Sequence, residues 1–219
     1  MNDFNILSIV ISICALLVAV IGHEIMHGLS ALYYGDDSAK IAKRLSINPI
    51  KHIDLVGSII LPLILLLLNA PFMFGWAKPV PVNIREVIKN GGYNGAIIVS
   101  LAGIIYNFLL AIVASMLLKS GIISKDGIDI ILYAFLIKLV IINVILGFFN
   151  LLPIPPLDGS QALGYLSLKF NNDVIPRFFN KIERFGIFIL LGILLIPPLA
   201  KIILQPPFII TKFLLREIL

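Results

Sequence analysis

Long apolar runs without a single charged residue constrain this chain more than any other feature of its sequence. The first run, 4–22, holds nineteen uncharged residues, and comparable runs cover 55–74 and 91–118. A helix of about 20 residues, at ~1.5 Å per residue, crosses the ~30 Å hydrocarbon core of a bilayer. Hydrophobic residues make up 59% of the chain and charged residues 13%, with a mean hydropathy of +1.05, whereas soluble domains contain roughly 25% charged residues. The sequence therefore predicts an integral, multi-pass membrane protein.

The predicted fold is an all-α polytopic membrane protein, with a bundle of about four transmembrane helices, a re-entrant hairpin and a short extended edge segment. The length of 219 residues suits a single domain over 1–219. Alternating prolines at 79 and 81 forbid a helix and favour the extended edge over 78–83. The other predicted parts are a first helix over 1–34, a re-entrant or spanning segment over 53–75, helices over 91–118, 129–163 and 185–204, and an amphipathic tail over 205–219.

A His-Glu-x-x-His motif follows the first apolar run directly, in the stretch IGHEIMHGL. On a helix, residues four apart lie on one face, so His23 and His27 can offer two imidazole nitrogens to one tetrahedral Zn²⁺. Glu24 lies beside them, where such motifs place a general base. Polar and ionisable side chains within a membrane helix are costly and usually functional. This trio therefore predicts a zinc site near the end of the first helix.

The second informative stretch, NLLPIPPLDG at 150–159, ends the fourth apolar run. Its three prolines interrupt the helix, and irregular backbone at membrane depth is tolerated only inside protein or beside a watery cavity. A carboxylate at that depth needs a cation, and the zinc predicted at His23 and His27 is the obvious one. Asp158 would complete a set of two histidines and one carboxylate that leaves a fourth position open.

Together, the two motifs resemble the site-2 protease family of intramembrane zinc metalloproteases. That family pairs His-Glu-x-x-His in one membrane helix with Asn-x-x-Pro-x-Pro-x-x-Asp-Gly in a later one, and 23–27 and 150–159 match in that order. The stretches INPIKHID and GWAKPVPVN further resemble the compact prokaryotic members without a PDZ domain, so the similarity covers about 21–163. One departure lies at 102–107, where the family's Ala-Gly-Pro-x-x-Asn has Ile104 in place of proline.

The resemblance implies one Zn²⁺ per chain with His23, His27 and Asp158 as its ligands. It implies Glu24 as the general base and Asn150 as a group that stabilises the oxyanion. The implied activity is hydrolysis of peptide bonds in or near transmembrane segments of a protein or peptide substrate, as in regulated intramembrane proteolysis. The implied partners are that substrate and the lipid bilayer. Nucleic acid is not expected, because the basic residues are scattered through loops and not gathered on one face.

Ligand geometry also predicts the topology, because Asp158 must reach the membrane depth of the two histidines. This requires 55–74 to enter and leave on one face, bent near Pro62. The loops on the motif side then hold eleven Lys and Arg and the opposite side five, whereas a full crossing gives nine against seven. Since cytoplasmic loops carry the excess of Lys and Arg, the hairpin is favoured, with the active site toward the cytoplasmic side of a prokaryotic cell membrane.

Two other functions remain open at this stage. A metal transporter or metal-sensing membrane protein could use the same ligands without hydrolysis, but it would not need a base such as Glu24 beside an open zinc position. An inactive relative could bind and hold partner helices. The intact set of Glu24, three ligands and Asn150 argues against that reading.

Overall fold

A computed structural model describes residues 2–68, 75–124, 127, 129–216 and 218. These ranges contain helices and irregular segments and no β-strand. The α-helices are α1 (Asn2–Tyr33), α2 (Ser38–Ile41), α3 (Leu61–Leu67), α4 (Ile84–Lys119), α5 (Asp129–Leu151), α6 (Asp158–Lys169), α7 (Val174–Ile182), α8 (Gly186–Leu195) and α9 (Pro197–Leu214). Pro49–His52 and Glu183–Phe185 form 3₁₀ turns, and Leu55–Ile60 forms a π-helical turn that leads into α3.

Among the described residues, three helices are long and apolar enough to cross a membrane: Ile6–Tyr33 within α1, all of α4 and all of α5. One further pair of segments is also long and apolar enough when taken together: Val174–Leu195 and Pro197–Leu214. The pair is bent by 94°, and it gives a fourth crossing if it acts as one broken span. The prediction of an all-α polytopic membrane protein is therefore confirmed.

Small side chains bring α1, α4 and α5 together into the central bundle. Ala15 of α1 and Ala111 of α4 are fully buried, and they pack in one cluster with Val140 and Val144 of α5. Between membrane helices, where burying apolar surface gives little drive, small residues allow the close approach that van der Waals packing needs. Large apolar side chains such as Ile13 and Leu109 are exposed on the outside of the bundle, where lipid would solvate them.

The two ends of the segment predicted to form the hairpin lie close together. The apolar helix Leu55–Leu67 is roughly 20 Å long at ~1.5 Å per residue, too short to cross the bilayer core. The Trp76 N–H donates to Gly57 O (3.2 Å) and the Ser58 hydroxyl donates to Trp76 O (2.8 Å). Both ends of the segment therefore lie together, as a hairpin requires. Residues 69–74 of the predicted hairpin lie outside the described residues.

The predicted extended edge, 78–83, is non-helical and is held on both sides by loop residues. The Lys78 N–H donates to His52 O (2.9 Å), and Arg44 Nη2 donates to Lys78 O (2.6 Å). At the other end, the Asn83 N–H donates to Asp36 Oδ2 (2.6 Å). These bonds fix the segment to the loop residues that follow α1.

Helix boundaries differ from the predicted ones at three places. The predicted helix over 129–163 is α5 and α6, separated by the proline-containing segment 152–157. The helix predicted over 91–118 already begins at Ile84, with a bend at Gly92, whose φ of 59° and ψ of −163° are non-helical. The helix predicted over 185–204 breaks at Ile196, before two prolines, and α9 then continues into the predicted tail 205–219 as far as Leu214.

Candidate metal centre

The two histidines of the first motif lie on the face of α1 that packs against α4. His23 Nε2 and His27 Nε2 are 3.1 Å apart. The neighbouring residue on α4 is Gly103, and a Cβ there would lie 2.6 Å from atoms of both imidazole rings. Real Cβ atoms do not approach that closely, so the absence of a side chain at Gly103 allows the imidazole pair to pack against α4.

Asp158 joins the histidine pair from the first residue of α6. Its Oδ2 lies 3.0 Å from His23 Nε2 and 3.2 Å from His27 Nε2. The three side chains are 6%, 12% and 17% exposed, for His23, His27 and Asp158 respectively. The next residue, Gly159, lets α6 begin against the end of α5, since a Cβ there would lie 2.2 Å from Leu151 O. The structure thus brings together three of the predicted residues, although 131 positions separate His27 from Asp158.

The second nitrogen of each imidazole also has a partner. His27 Nδ1 lies 2.7 Å from Val99 O, and His23 Nδ1 lies 2.6 Å from Asn107 Oδ1. A backbone carbonyl can only accept, so the neutral imidazole of His27 carries its proton on Nδ1 and keeps a lone pair on Nε2. Metal-binding histidines usually make this kind of bond with the nitrogen that does not face the metal.

The arrangement of the three convergent atoms fits a zinc ion. The ligand atoms of His23, His27 and Asp158 all lie within 4.8 Å of one another. Zinc bonds of ~2.0–2.2 Å in a tetrahedron separate neighbouring ligand atoms by about 3.3 Å, and the observed separations are 3.0, 3.1 and 3.2 Å. Two imidazole nitrogens and a carboxylate oxygen are electron-pair donors that repel one another unless a metal ion or a proton lies between them.

Glu24 lies beside the cluster and not in it. Its half-buried carboxylate accepts a hydrogen bond from the Val80 N–H at Oε2 (2.8 Å). This bond therefore joins Glu24 of α1 to the extended segment 78–83.

Asn150 is in the last turn of α5, and its Nδ2 donates to Leu146 O of the same helix (3.1 Å). This bond stays within α5 and does not link Asn150 to His23, His27 or Asp158.

Two residues near the centre have roles that sequence reasoning missed. Neither Gly103 nor Asn143 is among the site residues predicted from the sequence. Asn143 is an uncharged polar residue within an apolar run, as Asn107 is, and that feature could have identified it.

Two comparisons with known protein sequences gave matches. The model of a family described as Peptidase family M50 matches residues 118–193. A protein of Bacillus subtilis (strain 168) named "Putative zinc metalloprotease YwhC" is 34% identical over 204 residues, which cover 89% of this chain and 84% of the relative. No solved structure matches the chain.

The fold and the cluster define the class as a membrane-embedded metallopeptidase. The chain belongs to peptidase family M50, and the predicted resemblance to site-2 proteases is confirmed.

Proposed function

We propose that this protein is a zinc-dependent intramembrane endopeptidase that hydrolyses peptide bonds in or near transmembrane segments. The observation that carries this proposal is the convergence of His23, His27 and Asp158 within a bundle of apolar helices, with Glu24 beside them. The name of the Bacillus relative includes zinc and protease activity, which supports the same function.

The proposed ligands of one zinc ion are His23 Nε2, His27 Nε2 and Asp158. When bound, zinc supplies Lewis acidity, which polarises a carbonyl and lowers the pKa of bound water to roughly 7. The chain provides three ligands and thus leaves room for a fourth group, as in catalytic zinc sites. Burial of the three side chains excludes bulk water and strengthens the electrostatic interactions among them.

Glu24 is the proposed general base. The Val80 N–H orients the carboxylate through Oε2, and the other carboxylate oxygen can take a proton from the attacking water. Glu24 then returns that proton to the leaving amine. A carrier of metal ions would not need a base in this position.

Asn150 is the proposed donor to the oxyanion of the tetrahedral intermediate. Its Nδ2 donates to Leu146 O in this structure, so the side chain must rotate away from its own helix before it can donate to substrate. One well-placed amide donor is worth about 2.7–4 kcal/mol of transition-state stabilisation.

The proposed substrate is an unwound transmembrane segment that adds as a strand beside 78–83. The N–H groups of Lys78, Val80 and Asn83 already have acceptors, and the two prolines have no N–H. Substrate pairing would therefore rely mainly on the carbonyl groups of this segment. The bond from Val80 to Glu24 would hold such a strand next to the base.

The protein is an integral membrane protein, and we assign the active site to the cytoplasmic side of a prokaryotic cell membrane. The distribution of Lys and Arg, eleven against five, supports this orientation. Labelling single cysteines at positions 40 and 119 from each side of intact vesicles, in a chain without Cys14, tests it. Position 40 should react from the cytoplasmic side and position 119 from the opposite side.

The decisive experiment compares the purified wild-type protein and Glu24→Gln in detergent, with an unwound transmembrane peptide as substrate. Zinc content is measured on both proteins. Cleavage by the wild type alone, with about one zinc on each protein, would support the peptidase function and the role of Glu24. Equal zinc without cleavage by either protein, across several peptides, would favour a metal carrier or a helix-binding scaffold.

A further inference from the structure

Two asparagines on neighbouring membrane helices form a continuous hydrogen-bonded line that ends at His23. Asn107 of α4 and Asn143 of α5 are both 0% exposed. His23 Nδ1 lies 2.6 Å from Asn107 Oδ1, and Asn107 Nδ2 donates to Asn143 Oδ1 over 2.8 Å. Asn143 Nδ2 in turn donates to Leu139 O over 2.8 Å. Buried amides are costly between apolar helices, so a complete line of partners indicates a specific use.

The donor and the acceptor of each bond in this line follow from its last member, the Leu139 carbonyl. The Leu139 carbonyl can only accept, so it must face the NH₂ group of Asn143. The Asn143 oxygen then faces Asn107 and must receive the NH₂ group of that residue. The Asn107 oxygen is left for His23, whose Nδ1 must therefore carry the proton.

The consequence for His23 is a fixed tautomer. With the proton on Nδ1, Nε2 has the lone pair that points toward Asp158 and His27. If the Asn107 amide were turned over, its NH₂ group would face Nδ1, and the proton of a neutral imidazole would move to Nε2. That tautomer has no lone pair for a metal on the side of the cluster.

We infer that Asn143 is a positioning residue, which acts through Asn107 to hold His23 in its metal-binding tautomer. His27 has the same constraint directly from the Val99 carbonyl, whereas His23 receives it through two side chains. Asn107 Nδ2 also contacts Ala19 O, but at 3.3 Å, so Asn143 supplies the shorter of its two acceptors. The inference rests on the proposed zinc site.

The test measures zinc affinity of the full chain in detergent, by competition with a chelator. Second-sphere changes typically weaken metal binding 10- to 100-fold, and we expect this range for Asn107→Leu and about tenfold for Asn143→Leu. In the Asn107→Leu background, Asn143→Leu should cost less than twofold, because its effect passes through Asn107. Multiplied losses in the double variant, or wild-type affinity in Asn143→Leu, would overturn the inference.

Ser115→Ala is the matched control, because it also removes a buried bond between helices, from the Ser115 hydroxyl to Leu214 O (2.6 Å). Its zinc affinity should stay within twofold of the wild type. Nitrogen NMR of the metal-free protein provides a second readout, in which Asn143→Leu should shift the His23 ring signals away from the Nδ1–H tautomer. Unchanged ring signals would contradict the inference.

An unfolded variant and a wild type without zinc must each be distinguished from loss of the positioning role. If Asn143→Leu does not fold, Asn143→Ala carries the same expectations, since it removes the amide and leaves space. Wild-type protein that binds no zinc at all would refute the zinc site itself, whereas a wild-type affinity in the folded Asn143 variant would refute only the positioning role.

Discussion

The Val80 N–H donates to Glu24 Oε2 over 2.8 Å, and this bond joins the extended segment to the proposed base. The segment has proline on both sides of Val80, so a third proline is compatible with its non-helical backbone. Hydrogen bonds to charged groups contribute about 1.5–3 kcal/mol. We therefore expect Val80→Pro to lower kcat about 10- to 100-fold with zinc content unchanged.

Val80→Ala is the control for this prediction, because it removes more side-chain packing but keeps the N–H. It should retain most of the activity. Equal losses in Val80→Pro and Val80→Ala would show that packing, and not the bond to Glu24, is responsible.

Gly103→Ala should empty the metal site. The added Cβ would lie 2.6 Å from atoms of both His23 and His27, and two imidazoles fixed by other bonds cannot both move away. Metal analysis of the purified variant should give well below one zinc per chain. Gly164→Ala is the matched control on α6, where a Cβ meets no atom within 4 Å, and full zinc loading is expected. A Gly103→Ala protein with full zinc would contradict the packing argument.

Asn150→Ala should lower kcat by roughly 10²–10³-fold with little change in zinc content, because an oxyanion donor acts only in the transition state. Steady-state cleavage of an unwound peptide, together with metal analysis, measures both effects. Loss of zinc in this variant would instead assign Asn150 to metal binding, and a wild-type kcat would remove it from the mechanism.

Asp36 links the loop after α1 to the start of α4, and its contribution to stability should depend on pH. Burial raises the pKa of Asp36, but hydrogen bonds from Ser38 and from the Asn83 N–H outweigh it and hold the pKa below its ordinary value of 3.8. A carboxyl group with a lowered pKa stabilises the fold above its unfolded pKa, and this contribution is lost as the pH falls through the lowered value.

We expect Asp36→Asn to melt at a lower temperature than the wild type at pH 6, with the difference shrinking below about pH 4. Thermal unfolding in detergent across this range measures the difference. Asp173→Asn, which removes a carboxylate that is 51% exposed in its ion pair with Arg177, is the control and should change the melting temperature little. A difference between wild type and Asp36→Asn that stays constant with pH would contradict the role of the carboxylate.

The helical membrane class and the pairing of His23 with His27 could both be predicted from the amino-acid sequence alone. Both follow from local patterns, since uncharged runs of sufficient length form membrane helices and residues four apart share one helix face. The prolines before Asp158 also predicted that the helix is interrupted there, because proline lacks the N–H that a helix needs. The hairpin was predicted from ligand depth and charge distribution, and the contact of Trp76 with Gly57 agrees with it.

The groups that surround the cluster could not be predicted in this way, because they come together through the packing of the helices. The bonds from Val80 to Glu24, from His23 to Asn107 and from Asn107 to Asn143 join positions 56, 84 and 36 residues apart. The close approach of both imidazole rings to Gly103 is likewise a result of the packing of α1 against α4. A local sequence pattern sets which helices form, but the rotation and depth of each helix against its neighbours are set by packing of side chains distant in sequence. Those rotations decide which polar side chains meet in the apolar interior.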